Sequence, residues 1–214
     1  MYTLFGSKGS GSAAIEIALE RTQSRYRIVT ASTWEADSEV ATLRERNPLQ
    51  QIPTLELPDG HVLTESAAIL IHLGLAFPEA GLLPADASAR AQGIRGLVFI
   101  AANCYAAIGV IDYPERWCAD IDDAVRERII RGTRARLHRY WEIFADQYPG
   151  APFFSGAQPG ALDFLAAVVS KWAGARAHLQ KARPGCAATL AAIDNDPAVK
   201  PVFARHWPPT AQAA

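Results

Sequence analysis

The first third of the chain alternates short strand-like and helix-like stretches. Tyr2-Thr3-Leu4-Phe5-Gly6 sets β-branched and aromatic residues ahead of a turn and reads as a strand. Ser7-Lys8-Gly9-Ser10-Gly11-Ser12 has the composition of a loop. From Ala13 onward, Ile15, Ala18 and Leu19 recur at three-and-four spacing, which predicts a helix. Tyr26 to Thr30 reads as a second strand, and the polar stretch Ser32 to Arg46 has weak helical character. Pro53 has no N–H to give to a central ladder, so it should mark the beginning of a strand through Leu55. Asp59-Gly60 is a turn signal, and His61-Val62-Leu63 returns as the partner strand. Thr64-Glu65-Ser66 opens a helix through Ala67, Ile69, Leu70 and Leu73, which Phe77-Pro78 ends.

Beyond this point the patterning changes. Pro78, Gly81 and Pro84 suit a linker, and no convincing strand comes after it. Ala87 to Ile111 reads as one long apolar helix. Ile121 to Tyr148 is amphipathic: Val125, Ile129, Leu137, Trp141 and Phe144 lie near one stripe, while Arg126, Arg131, Arg134 and Arg139 face elsewhere. Asp120, Asp122 and Asp123 place negative charge where the dipole at its N-terminus favours it. Ala161 to Ala175 predicts a third helix, with shorter pieces around Cys186 to Ile193 and Ala198 to His206. The order β-α-β-α-β-β-α, succeeded by helices alone, predicts an α/β N-terminal thioredoxin-like domain over residues 1–79 and an all-α C-terminal domain over residues 87–214.

Composition narrows the function classes. The 214 residues carry 21 basic and 22 acidic side chains, a net charge of −1. That lacks the broad basic field of a nucleic-acid binder, so no nucleic-acid partner is expected. Half the residues are hydrophobic and 20% are charged, a globular balance. Three widely spaced cysteines, Cys104, Cys118 and Cys186, argue against a disulfide framework, and no Cys/His cluster has metal-site spacing. A reducing compartment, the cytoplasm, and no metal are expected. The N-terminus lacks a signal-peptide pattern. The longest uncharged apolar stretch, Leu97 to Ile111, is shorter than the ~20 residues of a membrane span and reads as a buried helix.

Two ordered features carry candidate chemistry: Gln51-Ile52-Pro53 ahead of a strand, and Thr64-Glu65-Ser66-Ala67-Ala68-Ile69 at a helix start. With the intervening IPTLEL…DGHVLTESAAILIHL, they make the chain resemble the cytosolic glutathione S-transferase superfamily, of a bacterial, serine-like type. The resemblance covers essentially the whole chain, including Asp163 early in the third helix. It implies glutathione as co-substrate, held by Gln51, Ile52, Pro53, Glu65 and Ser66. The helix N-terminus and the Ser66 hydroxyl suit a carboxylate. Glu65 accepts from the γ-glutamyl ammonium, and the backbone of Ile52, before a cis Pro53, meets the cysteinyl part as an added strand. Read without the resemblance, Glu65 and Ser66 are a helix-cap pair and Pro53 is a strand-start proline.

The resemblance further implies a thiolate-stabilising side chain in the loop after the first strand, where the family uses tyrosine, serine or cysteine. The usual slot falls near Gly11, flanked by Ser10 and Ser12. Ser10 is favoured, because Gly9 and Gly11 let the backbone approach a ligand. Ser12 has the alternative reading of an N-cap, and backbone N–H groups are the alternative to all three loop serines. No cysteine stands in this loop for mixed-disulfide chemistry. Tyr105, Tyr113 and Trp117 are candidates for a pocket taking a small apolar electrophile, whereas Ile108 reads as core. Gly160 stands where the family caps its third helix with serine or threonine, so a reciprocal side-chain bond to Asp163 is lost. His61, His72, His138, His178 and His206 read as surface or satisfied core. The leading expectation is a transferase conjugating the glutathione thiolate to an electrophile, in a detoxification role and as a homodimer. The alternatives are a non-enzymatic glutathione-binding or protein-interaction module, and a glutathione-dependent isomerase of maleyl-type acids using Lys8 and Arg116.

Overall fold

The computed structural model describes residues 1–150 and 152–208. Its first third is built on a four-stranded sheet of order β2-β1-β3-β4. β1 (Tyr2–Gly6) is buried along its whole length, because it is flanked on both edges. It pairs in parallel with β2 (Tyr26–Thr30) and antiparallel with β3 (Thr54–Glu56). β3 pairs antiparallel with the two-residue β4 (Val62–Leu63). α1 (Ser12–Arg21) connects the parallel pair, as a parallel crossover requires. α2 (Val40–Arg46) is the only helical part of the stretch from Ser32 to Arg46. α3 (Ser66–Ala76) comes after β4. Pro53 sits one residue before β3, outside the ladder. Gly60 closes the hairpin with φ +89, the region that favours glycine.

The remainder is helical. α4 (Ala87–Phe99), a π-helical segment Ile100–Tyr105 and α5 (Ala106–Asp112) form one continuous path, longer by a residue than expected and not uniformly α. The Asn103 amide donates to the Phe99 carbonyl (3.1 Å), inserting a side chain where the helical ladder changes. This helix is long and apolar enough to cross a membrane, but it packs on other helices, and 39% of its most apolar stretch is buried. The expectation of a buried helix therefore holds for one face only. α6 (Asp123–Gln147) starts at Asp122, whose carboxylate accepts the Val125 N–H. α7 (Ala161–Val169) is buried throughout and forms the axis of the helical core. α8 (Ala175–Ala182), α9 (Pro184–Asp194) and α10 (Lys200–His206) complete the fold.

α7 ends six residues earlier than the pattern predicts, for two reasons. Gly174 adopts φ +77, and the Arg176 guanidinium folds back onto the Ala167 carbonyl (2.8 Å) and the Ser170 hydroxyl (2.6 Å). At its other end, the Asp163 carboxylate takes the N–H groups of Phe154 (2.8 Å), Ser155 (3.0 Å) and Gly160 (3.0 Å). Half of the capping box is thus present. Its other half is sterically barred: a Cβ on Gly160 would lie 2.8 Å from the Leu82 carbonyl oxygen and 2.9 Å from the Ser155 hydroxyl. Burial pushes the Asp163 carboxyl up, against the pull of those donors.

α10 returns to the first helix of the chain. Glu16, buried in α1, takes His206 Nε2 (2.8 Å) on one oxygen and Arg205 Nε (2.8 Å) on the other. Burial alone would raise this carboxyl, but the bonds from His206 and Arg205 outweigh it and leave the group below its ordinary value of 4.5.

Gly160→Ser, although it restores a good cap residue, should lower stability by about 1–3 kcal/mol, because the colliding atom is backbone; thermal unfolding would reveal an error if the variant melted higher. For Glu16 the folded-state pKa is depressed, so its stabilisation is present above the unfolded value and is lost as pH falls through the folded one. Glu16→Gln should cost about 2 kcal/mol at neutral pH. It should also flatten the loss of stability between about pH 5 and 3. Parallel acid limbs in wild type and variant would contradict this.

Candidate functional site

Strand order alone gathers the candidate elements. Phe5 lies opposite Thr54, so the chain leaving β1 and the chain entering β3 meet at one end of the sheet. Leu63 lies opposite Leu55, so the segment from β4 into α3 reaches that same end. α1 also begins there.

The loop between β1 and α1 is closed on itself. Ser7, Ser10 and Ser12 are all buried. Ser10 Oγ lies 2.8 Å from the Ser7 carbonyl oxygen and 2.8 Å from Ser12 Oγ. Ser12 Oγ lies 3.2 Å from that carbonyl and accepts the Ser7 N–H at 3.3 Å. Whichever hydroxyl donates to the carbonyl, the other donates to its neighbour, so both protons have acceptors inside the loop. The Ser7 hydroxyl donates to Glu35 Oε2 (2.6 Å), which also takes the Ser32 hydroxyl (2.5 Å). The Ser32 and Ser7 donors hold Glu35 below the usual carboxylate range. Ser12 is not the N-cap: Gly11 occupies that position and Ser12 is the first helical residue.

Two contacts from the helical part fix this loop. The Gly9 N–H donates to His206 Nδ1 (3.2 Å), which sets the imidazole tautomer with its other nitrogen donating to Glu16. Gly9 itself has φ +68. At Gly11, the Tyr105 hydroxyl packs directly on the glycine, in the space a Cβ would take, and burial pushes the Tyr105 phenol up to about 12. The Tyr105 ring lies against Trp172, centroids 5.6 Å apart. Glu35, Glu16 and His206 are absent from the site the sequence predicts. Glu35 sits in a polar stretch with no distinguishing pattern, and the histidine is 197 residues from its loop partner.

Across the sheet end, the Ile52–Pro53 peptide bond is cis. The Gln51 carbonyl accepts from Asn47 Nδ2 (3.0 Å) and Thr54 Oγ1 (2.8 Å), while its side chain is exposed. Ile52 packs its side chain on Phe5, Ala31 and Leu43. Among the described residues, neither its N–H nor its C=O has a backbone partner. Glu65 occupies the cap position of α3 with φ +63 and ψ 109, rare for a residue with a side chain, and makes no side-chain cap bond. Its carboxylate is exposed. Ser66 is buried, and its hydroxyl has no partner among the described residues. The first N–H groups of α3 have no carbonyl four residues behind them in the helix.

The three pocket candidates separate. Tyr105 reaches the β1–α1 loop. Tyr113 lies about 12 Å further along the helix axis. Its ring faces the Arg116 guanidinium at 4.0 Å. Trp117 is 67% exposed. Ile108 is core. Cys104 and Cys186 are buried thiols raised by desolvation, Cys186 to about 11. Lys8 is exposed.

This arrangement has counterparts. Residues 1–74 match the family model described as "Glutathione S-transferase, N-terminal domain". The uncharacterised GST-like protein YncG of Escherichia coli K12 is 27% identical over 208 residues, covering 96% of this chain and 98% of that protein. The probable glutathione S-transferase BZ2 of Zea mays is 30% identical over 173 residues, covering 76% of this chain and 70% of that protein. A glutathione transferase homologue from Sulfitobacter, solved with bound glutathione, superposes with a TM-score of 0.83 at 23% identity, covering 94% of this chain and 96% of that one. That likeness establishes a shared fold, with the thioredoxin-like sheet leading into the helical region. With the family model on the sheet and the maize relative across most of both parts, the chain belongs to the glutathione S-transferase superfamily.

Proposed function

We propose that this chain binds glutathione across the end of the sheet and ionises its thiol for attack on a small apolar electrophile. The observation that carries the reading is the open Ile52 backbone beside the N-terminus of α3, where the Ser66 hydroxyl has no partner among the described residues. The cysteinyl backbone pairs with Ile52 as a short added strand beside Gln51 and Pro53. The γ-glutamyl carboxylate is received by the free N–H groups of α3 and by Ser66. Glu65 accepts from the ammonium. This register directs the sulfur toward the β1–α1 loop. A thiol with a pKa of ~8.5 is mostly protonated at neutral pH, and lowering it by two units takes ~2.7 kcal/mol of preferential anion stabilisation. The thiolate then forms a bond to the electrophilic carbon, and the leaving group departs with its electron pair. The electrophile lies against Tyr105, with Tyr113 and Trp117 further out.

One observation favours a second reading, glutathione binding without turnover. The Ser10 and Ser12 hydroxyl protons are engaged inside the loop, so serine-assisted ionisation requires a loop bond to break. Turnover of a generic aromatic halide distinguishes the readings. The proposal includes a homodimer in a reducing cytoplasm. Leu75 on α3 and Val98 on α4 are 59% and 50% exposed, apolar groups that a second copy would cover.

The protein should be retained on immobilised glutathione and should give a thiolate ultraviolet band with the free tripeptide. Ser66→Ala should weaken glutathione binding roughly tenfold, about 1.4 kcal/mol. The melting temperature should stay within about 1 °C, because no protein partner is lost. A folded wild type that neither retains nor shifts the band defeats the reading. Light scattering should give a dimer mass for wild type and a monomer mass for Leu75→Arg/Val98→Arg; a monomeric wild type would remove the dimer.

A further inference from the structure

We propose that the Tyr105 hydroxyl, brought from the helical part, is the side-chain donor that holds the ionised glutathione sulfur at the β1–α1 loop. The inference rests on the glutathione reading above and assigns the group that does its chemistry.

Every serine hydroxyl in the loop already has an acceptor: Ser7 gives to Glu35, and Ser10 and Ser12 give to the Ser7 carbonyl and to each other. The Gly9 N–H goes to His206, and the Ser12 N–H goes to Ser10 Oγ. Tyr105 differs. Its oxygen packs on Gly11, and it makes no hydrogen bond to any described residue. A phenol whose proton has no acceptor in the protein is a donor open to a ligand. Burial keeps it protonated through neutral pH, so it offers a neutral donor.

The placement of the hydroxyl agrees. A Cβ on Gly11 would collide with the Tyr105 oxygen. The hydroxyl therefore fills the space into which a side chain at position 11 would project, at the head of α1. Glycine at this position is what admits it. Tyr105 is the last residue of the π-helical segment, and Trp172 packs against its ring. A π-turn advances the helix by an extra residue and re-aims the side chains beyond it, a distortion that recurs at functional sites. In the ionisation step the S–H bond breaks and its proton passes to solvent water; the sulfur keeps the electron pair, and Tyr105 keeps its own proton while donating to the anion. The charged groups around it are Asp112 from α5, Lys8 and the Glu35 bound to Ser7 at the loop, and the His206–Glu16 pair behind Gly9. The carboxylates disfavour a further anion, which places more of the stabilisation on neutral donors.

The test titrates the thiol of glutathione bound to the full chain, monitored by its ultraviolet thiolate absorption, in wild type, Tyr105→Phe, Ser10→Ala and Gly11→Ser/Tyr105→Phe. Wild type should ionise the thiol about two units below free glutathione. Tyr105→Phe should lose one unit or more of that shift, with kcat/KM at pH 7 down roughly 10–100-fold. Its KM for glutathione should change by less than about threefold, since the tripeptide backbone is held elsewhere. Ser10→Ala should titrate as wild type, and the double variant, which returns a hydroxyl from the loop side, should recover part of the shift. A Tyr105→Phe protein that binds glutathione and titrates as wild type overturns the inference, as does a wild type that binds glutathione without lowering its pKa. Failure of wild type to bind glutathione at all overturns the underlying reading instead.

Discussion

Ser7 makes three commitments at once: its carbonyl gathers the hydroxyls of Ser10 and Ser12, its N–H gives to Ser12, and its hydroxyl is held by Glu35. This ring closes the loop at the carboxyl end of β1, with Glu35 reaching in from the segment after β2. Buried hydroxyls without partners would carry a desolvation cost of about 1–3 kcal/mol each. The ring avoids that cost and leaves only backbone N–H groups to be met from outside. The helical part meets one of them, Gly9 through His206, and packs the Tyr105 hydroxyl on Gly11. The interface between sheet and helices is therefore fixed at the loop by the His206 bond and the Tyr105 contact, while its bulk comes from α1 and α3 packing on α7.

The succession of strands and helices in the first third and the starts of most later helices are legible in the sequence, because the signals are local. Tyr2-Thr3-Leu4-Phe5-Gly6, the Asp59-Gly60 turn and Pro53 ahead of Thr54 each act within a few residues of themselves. The same holds for Asp122 at the start of α6. Once the order β2-β1-β3-β4 is given, Ile52, Ser66 and the β1–α1 loop must share one end of the sheet, so the location of the site is legible even where the roles of its residues are not.

The features hidden from the sequence are long-range. The end of α7 is set by Arg176, whose guanidinium also pairs with Asp194, and nothing near Val169 announces it. Gly160 looks like a lost cap until the Leu82 carbonyl, far back in sequence, is found in the space a side chain would take. The loop serines look like free donors because their acceptors belong to the loop's own backbone, invisible to composition. Tyr105 reads as a pocket wall in a helix drawn as uniformly α, which gives no reason to aim it at Gly11; the π-helical segment supplies the change of direction.

His206, in α10, has a consequence for how the protein is made. The sheet is synthesised before α10, so until α10 emerges Gly9 lacks its imidazole partner and Glu16 lacks both of its side-chain donors. Until then the Glu16 carboxylate is without the two side chains that hold it in the finished fold. A polypeptide truncated before residue 205 loses the bond that anchors its β1–α1 loop and both donors to Glu16, which lowers its stability and enlarges the unfolded fraction that proteases can take.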